Sequence, residues 1–368
     1  MTRIALAYNQ KPELSASAPT AALESDADDE PPSRGDRRDG VAVATAPQMV
    51  DDAFAEWDTV ETIDAVASAL APLGDVIRLE ADEHFPERLR RERPDLVFNI
   101  AEGLYGPNRE AHVPAICEFL GVPYSASDPF TLSLCLDKAR TKQFLAATGI
   151  PTARFALVET EAQLQDVALP FPLFLKPSQE GSSKGITERN FVSSREELLA
   201  QGSWLLARYA QPVLVEEFLP GAEFTCGILG NGAQAEVLPL VGMNFGALPA
   251  GALPIYGFEA KWIWDQPENP LEIFECPAQI PAALAQRVSA VALAAYRAAG
   301  CRDWSRVDVR LDSAGNPLIV EINPLPGILP NAADNSCLPK AARAAGIGYD
   351  ALIQRCARHA AERLGIAL

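Results

Sequence analysis

The chain has 368 residues, 48% of them apolar and 22% charged, the mix of a globular protein, and its length predicts two or three domains because a single core stops growing at roughly 250–300 residues. A formal net charge of −18 excludes nucleic acid as a partner over most of the surface. No apolar run reaches the roughly 18–20 residues that cross a bilayer, the start Met1 to Leu6 is too short for a signal segment, and the seven cysteines lack a C-x-x-C pair and are odd in number, so no membrane span or disulfide framework is expected and the default location is the cytoplasm.

Arg3 to Tyr8 reads as a short buried strand. The stretch from Gln10 to Val50 then turns to Ala, Pro, Ser and Asp, which bury too little apolar surface to offset their ordering, so a disordered insertion is expected there, or else a lid or partner-docking arm. Order returns at Asp58 to Leu70, where Asp58 or Thr59 can cap a helix with Val60, Ile63, Val66, Ala67 and Leu70 at helical spacing. Strands at Asp75 to Leu79 and Asp95 to Ile100, separated by a charged helix from Phe85 to Arg93, imply a parallel sheet covered by helices, ending near Tyr124 to Pro129. From Lys138 the pattern becomes a helix to Thr148, strands at Phe155 to Val158 and Phe171 to Lys176, and a strand at Val213 to Phe218, a small α+β lobe. The last third alternates strands at Glu223 to Leu229, Glu236 to Val241, Arg306 to Leu311 and Pro317 to Ile322 with helices at Pro281 to Ala299 and Tyr349 to Arg363.

Lys176 ends an apolar strand and is followed by Pro177-Ser178-Gln179-Glu180-Gly181-Ser182-Ser183-Lys184-Gly185, a fixed ammonium beside backbone N–H groups free to hold phosphate oxygens. It is not a Walker A loop, and alone it also reads as a flexible turn. Later, Arg306-Val307-Asp308-Val309-Arg310-Leu311 and Leu318-Ile319-Val320-Glu321-Ile322-Asn323 flank a Gly315-Asn316 turn, which predicts an antiparallel hairpin with Arg306, Asp308 and Arg310 on one face and Glu321 with Asn323 on one face of the partner strand. Two carboxylates and an amide there suit Mg²⁺. The other reading is a charge cluster in which Arg306 and Arg310 balance Asp308 and Glu321; the run before Glu321 favours the metal, since a buried acid needs a partner. Glu216-Glu217-Phe218-Leu219, with Glu223 beyond, ends a strand whose main chain can meet an adenine edge, while Phe218 packs on the base and Glu223 reaches ribose. Asp137 to Lys142 reads alone as a helix N-terminus with solvated lysines.

In this order, the segments resemble the ATP-grasp superfamily and within it the D-alanine–D-alanine ligase family. The similarity runs from about Asp95 to the C-terminus through Asn99-Ile100-Ala101-Glu102-Gly103, Gly121-Val122-Pro123-Tyr124-Ser125, Leu136-Asp137-Lys138, the Lys176 loop, Glu216 to Phe224, Tyr256-Gly257-Phe258-Glu259-Ala260-Lys261 and the two late strands. The resemblance implies an α/β protein: a Rossmann-like parallel-sheet domain over 1–130 with the insertion at 10–50, then a two-lobed α+β ATP-grasp fold with a small lobe over 131–221 and a C-terminal lobe over 222–368. Lys138 and Lys176 would hold ATP phosphates, Glu180, Gly181, Ser182 and Ser183 would cover them, and Glu216, Glu217, Phe218, Leu219 and Glu223 would frame adenine and ribose. Asp308, Glu321 and Asn323 would bind two Mg²⁺ ions, or Mn²⁺. The catalytic set would be Lys261 near the transferred phosphate, Ser182 in the loop, and Arg306 with the Gly327 backbone at the oxyanion. The Gly181 to Gly185 loop and the segment Tyr256 to Pro270 would act as lids.

The family's substrate pocket is matched less well. Its first-strand turn carries a glutamate for the ammonium of the first amino acid, for which Glu13 is the stand-in; Trp262 stands where a tyrosine is common; and Ile328-Leu329-Pro330-Asn331 replace Ser and His residues. Glu102, Arg109 and Trp262 are therefore the candidate substrate contacts, with Arg109 either facing a carboxylate or paired to Glu110 or Glu102 at a domain joint. The expected function is an ATP-dependent carboxylate–amine ligase that joins an amino acid or small carboxylic acid to an amino acid through an acyl phosphate, releasing ADP and phosphate. The alternatives are an authentic D-alanine–D-alanine ligase of peptidoglycan precursor synthesis, and a non-catalytic ATP-binding regulator. The partners are small molecules, and the resemblance adds a homodimer formed through the first domain.

Overall fold

The computed structural model describes residues 1–12, 54, 56–181, 183–257, 259–264 and 271–368. Most of the expected insertion, with Glu13, and also Ser182, the Trp262 side chain and the far end of the Tyr256 to Pro270 segment lie outside the described residues.

The described strands form three sheets. The first holds β1 (Arg3–Tyr8), β2 (Asp75–Glu80) and β3 (Leu96–Asn99) in the order β2-β1-β3, all parallel. Ile4 to Ala7 are wholly buried, as a strand covered on both faces must be. The covering helices are α1 (Val60–Leu70), α2 (Phe85–Glu92) and α3 (His112–Leu120). Of the two cap candidates for α1, Thr59 serves, its hydroxyl accepting from the Thr62 amide at 3.3 Å. Asp58 instead pairs through its backbone, with the Lys11 amide donating to the Asp58 carbonyl at 2.8 Å.

Two short helices lead out, α4 (Pro129–Leu136) and α5 (Lys138–Ala147), capped by Asp128 and Asp137. A second, antiparallel sheet follows: β4 (Phe155–Val158), β5 (Leu173–Pro177), β6 (Phe191–Val192) and β7 (Val213–Glu217) in the order β4-β7-β5-β6, with α6 (Glu161–Leu164) and α7 (Arg195–Tyr209) packed on one face. The third sheet holds β8 (Glu223–Leu229), β9 (Glu236–Val237), β10 (Val241–Met243), β11 (Phe274–Glu275), β12 (Trp304–Leu311) and β13 (Pro317–Asn323) in the order β11-β10-β8-β12-β13, with β9 on β8. It is backed by α8 (Ala282–Ala298), α9 (Cys337–Ala344) and α10 (Tyr349–Leu364). The single strand expected over Glu236 to Val241 is two strands, because Pro239 between them offers no N–H to a ladder. The expected late hairpin is present, with a bulge between Asp308 and Val309 in its register against β13.

Candidate active site

The ends of β5 and β7 face β12 and β13 across a cleft of about 320 Å³. On the middle-lobe side, Lys176, the last residue but one of β5, holds its ammonium 2.6 Å from Glu216 Oε1, and Lys142 from α5 stands 2.9 Å from Glu216 Oε2. Burial alone would raise the Glu216 carboxyl, but Lys142 and Lys176 hold it down to about 2. Asp137 caps α5 and also accepts from the Ser178 hydroxyl at 3.0 Å, which ties the helix to the start of the loop. Lys138, the next residue, donates to the Glu180 carbonyl at 2.5 Å and reaches over to Glu321 Oε2 at 3.3 Å. The loop needs glycine at Gly185, where φ is +71° and a Cβ would run into the ring atoms of Pro177 and Tyr209.

On the opposite wall, Arg306 pairs in register with Asn323, and Asp308 with Glu321. Arg306 Nη2 is 2.8 Å from Asp308 Oδ2 and 3.3 Å from Glu321 Oε1, while Asn323 Nδ2 donates to the same two oxygens at 3.4 and 3.2 Å. The Thr225 hydroxyl donates to the other Asp308 oxygen at 2.8 Å. Burial pushes Asp308 up to about 6 against the pull of Arg306. It pushes Glu321 the same way, yet Lys138, Arg306 and Lys176 hold Glu321 far below the ordinary carboxylate range. With the Asn323 oxygen turned toward them, these two carboxylates on adjacent strands would make a donor set of the kind a small hard divalent cation takes. Arg310 departs from the expected charge cluster: it pairs with Glu223 at 2.9 Å, not with Glu321.

Lys138, Lys176, Glu180, Gly181, Ser183, Glu216, Glu217, Phe218, Leu219, Glu223, Lys261, Arg306, Asp308, Glu321, Asn323, Gly327 and Glu102 all line this one cleft. Burial lowers the Lys261 ammonium to about 8, with Arg306 adding to the effect. Arg109 is buried behind the wall, its guanidinium 3.1 Å from Glu56 and donating to the Gln179 carbonyl at 3.0 Å. It does face a carboxylate, but one of this chain.

A family model described as the C-terminus of D-ala D-ala ligase matches residues 144–357. A D-alanine–D-alanine ligase from Herminiimonas arsenicoxydans is 35% identical over 81% of this chain and 86% of its own length, and one from Bordetella petrii is 36% identical over 69% of this chain and 72% of its own. The chain belongs to the D-alanine–D-alanine ligase family. It is an ATP-grasp ligase that forms carbon–nitrogen bonds. The fold agrees with solved members: the enzyme from Bacillus anthracis complexed with ATP has a TM-score of 0.65 at 22% identity, covering 99% of this chain and 98% of that one. The VanG D-Ala:D-Ser ligase from Enterococcus faecalis has a TM-score of 0.66 at 20% identity, covering 98% and 99%.

The first-strand glutamate expected of the D-alanine–D-alanine ligase family has a different candidate from Glu13. Glu56 lines the cleft, and both Arg109 and Lys184 contact it, Lys184 at 3.0 Å. No sequence signal marked it, because residues 13–53 separate it from the strand. Lys142 was missed: read alone, the segment gave solvated lysines, but Lys138 and Lys142 are buried, and Lys142, one turn after Lys138, is turned onto Glu216. Ser336 and Cys337, at the start of α9, also line the cleft, and the Ser336 hydroxyl donates to the Gly327 carbonyl at 3.0 Å. Ser336 therefore steadies the turn where this chain departs from the family pattern. Glu110 completes the first-domain wall, pushed up to about 7 by burial and by Glu56.

Proposed function

We propose that this ligase activates an amino acid or small carboxylic acid as an acyl phosphate, with ATP and Mg²⁺, and passes the acyl group to the amine of an amino acid. The observation that carries this reading is the pairing of the two walls, with Lys138 from the middle lobe 3.3 Å from Glu321 on the late hairpin. Lys138, Lys176 and Lys261 bring positive charge to the triphosphate, Glu180, Gly181 and Ser183 lie over it, and Phe218, Leu219 and Glu223 frame the nucleoside. Asp308, Glu321 and Asn323 would hold Mg²⁺, which when bound would neutralise charge on the phosphate oxygens.

In the first step a carboxylate oxygen of the acid attacks the γ-phosphorus, forming the acyl–phosphate bond while the bond to ADP breaks. In the second, the amine nitrogen attacks the acyl carbon, and phosphate leaves with the bonding pair as the amine gives up a proton. Arg306, whose buried Nε has no hydrogen-bond partner among the described residues, and the Gly327 amide are suited to the oxyanion that forms between these events. The reaction requires that water be kept from the acyl phosphate, which it would otherwise hydrolyse. The cytoplasm, where ATP is available, is the matching location, and no helix of the described residues is long and apolar enough to cross a membrane.

The test is phosphate release over pairs of L- and D-amino acids, with mass spectrometry of the product. An amide product with one ADP per bond is expected, and Arg306→Met should lower kcat by about 10²–10³. Absence of ADP and phosphate across the whole panel would overturn the proposal. Relatives named D-alanine–D-alanine ligase favour D-alanine as one narrower answer; turnover with D-alanine alone, giving the dipeptide, is the result that would establish it.

A further inference from the structure

Arg310 sits two residues beyond Asp308 on β12, opposite Glu223 in the sheet register. It is 6% exposed yet lines the cleft. Its Nη1 lies 2.9 Å from Glu223 Oε2, and its Nη2 donates to the Pro254 carbonyl at 2.8 Å. The guanidinium lies over two aromatic rings, 5.0 Å from the centroid of Phe218 and 5.2 Å from that of Phe245. Its Nε is buried with no hydrogen-bond partner among the described residues. A cation so deeply buried, set against two aromatic rings and with a donor to spare, is poorly accounted for by packing alone, because an apolar side chain would fill the same space without desolvating a charge.

We propose that Arg310 is the positioning and specificity residue for the sugar of the nucleotide. Its fork engages one Glu223 oxygen, which fixes the carboxylate rotamer and leaves the other oxygen free to accept from a ribose hydroxyl. Its second arm ties the Pro254 segment over the same end of the cleft, and the stack on Phe218 couples the sugar end to the floor on which the base lies. Burial pushes the Glu223 carboxyl up, Glu321 adds to the effect and Arg310 opposes it. Without the guanidinium, Glu223 therefore loses both its orientation and part of its charge, and with them its strength as an acceptor. A ribonucleotide triphosphate is then preferred over one that lacks sugar hydroxyls. This inference rests on the cleft being a nucleotide site, as proposed above.

The experiment is equilibrium binding of ATP and of 2′,3′-dideoxyATP to the full chain by calorimetry with Mg²⁺ present, for wild type, Arg310→Met, Arg310→Lys and Glu223→Gln. Wild type should prefer ATP by at least about tenfold, the worth of one charge-assisted hydrogen bond. Arg310→Met and Glu223→Gln should each bring that ratio close to one, mainly by weakening ATP. Arg310→Lys, which keeps the charge but not the fork, should fall between and guards against a methionine variant that does not fold. A loss equal for both nucleotides would make Arg310 a packing residue and overturn the proposal, as would a wild-type ratio near one. If wild type binds neither nucleotide, the reading of the cleft itself falls. If it binds both and only the variants fail to change the ratio, the role of Arg310 alone is lost.

Discussion

Two lysines share one carboxylate at Glu216, and the arrangement has a sign that can be measured. The Glu216 carboxyl is held down to about 2 from an ordinary 4.5, with burial opposing Lys142 and Lys176. A carboxyl depressed in the folded state stabilises it above the unfolded pKa, and that contribution is lost as pH falls from about 4.5 towards 2; the shift is on the order of 3 kcal/mol. Burial lowers Lys142 in turn, which offsets part of the gain. Glu216→Gln leaves both ammonium groups without their counter-charge and should destabilise the protein at pH 7 by roughly 3–5 kcal/mol. Urea midpoints at pH 6 and pH 3 should differ less in the variant than in wild type; equal pH slopes would mean that Glu216 is not the depressed group. At this scale the sequence was informative where chemistry repeats along one element. Asp308, Glu321 and Asn323 were legible from alternation on two neighbouring strands. The Arg310–Glu223 pair was not, since it joins β12 to β8 and a lone strand does not say which neighbour its charge will meet.

The end of the loop at Gly185 is fastened by an asparagine just beyond it. Asn190 is fully buried, its amide donating to the carbonyls of Leu175 and Gly185, each at 2.6 Å, while Gln201 donates to its oxygen at 2.9 Å. It thus fastens the end of the loop to β5, the strand that carries Lys176. Asn190→Ala leaves these buried groups unpaired at roughly 1–3 kcal/mol each. Because Asn190 fastens the loop at Gly185, past Ser182 in sequence and on the side given to covering ATP, KM for ATP should rise about tenfold or more while kcat changes less, measured by phosphate release at saturating acceptor. A fall in kcat alone would place the loop in the chemical step. The helices α1, α8 and α10 were legible because their patterns are long, and the short β1 because its apolar run is unbroken; all lie within a residue or two of their expected bounds. The helices α4 and α9 were not. The run Pro129-Phe130-Thr131-Leu132-Ser133-Leu134-Cys135-Leu136 has no polar stripe to set a helical period, and α9 carries Pro339 in its first turn.

Across the molecule, the three sheets support the proposed division into 1–130, 131–221 and 222–368, and the cleft draws residues from all three. Glu56 shows how the first part is tied to the middle one. Arg109 and Lys184 both contact its carboxylate, Lys184 also meets Glu180 at 2.9 Å, and Arg109 donates to the Gln179 carbonyl at 3.0 Å. Trp57 secures the segment by donating its indole N–H to the Gly103 carbonyl at 3.0 Å. Burial and Arg109 act in opposite directions on the Glu56 carboxyl, and with Lys184 added it is held below its ordinary value, so the link is ionic at neutral pH. A buried ionic link of this kind resists local opening of the loop, and opening is what amide hydrogen exchange reads. Lys184→Met removes the loop's own cation while Glu56 keeps Arg109, so the fold is retained and only the tie is shortened. Exchange in residues 179–186 should then quicken by about tenfold, the factor that corresponds to 1.4 kcal/mol, and β5 should be unaffected. Arg109→Met should quicken it further, since it removes contacts to both Glu56 and the Gln179 carbonyl. Exchange unchanged in both variants would show that the loop is held over the cleft by its own turn and Asn190, and that the first domain plays no part in closing it.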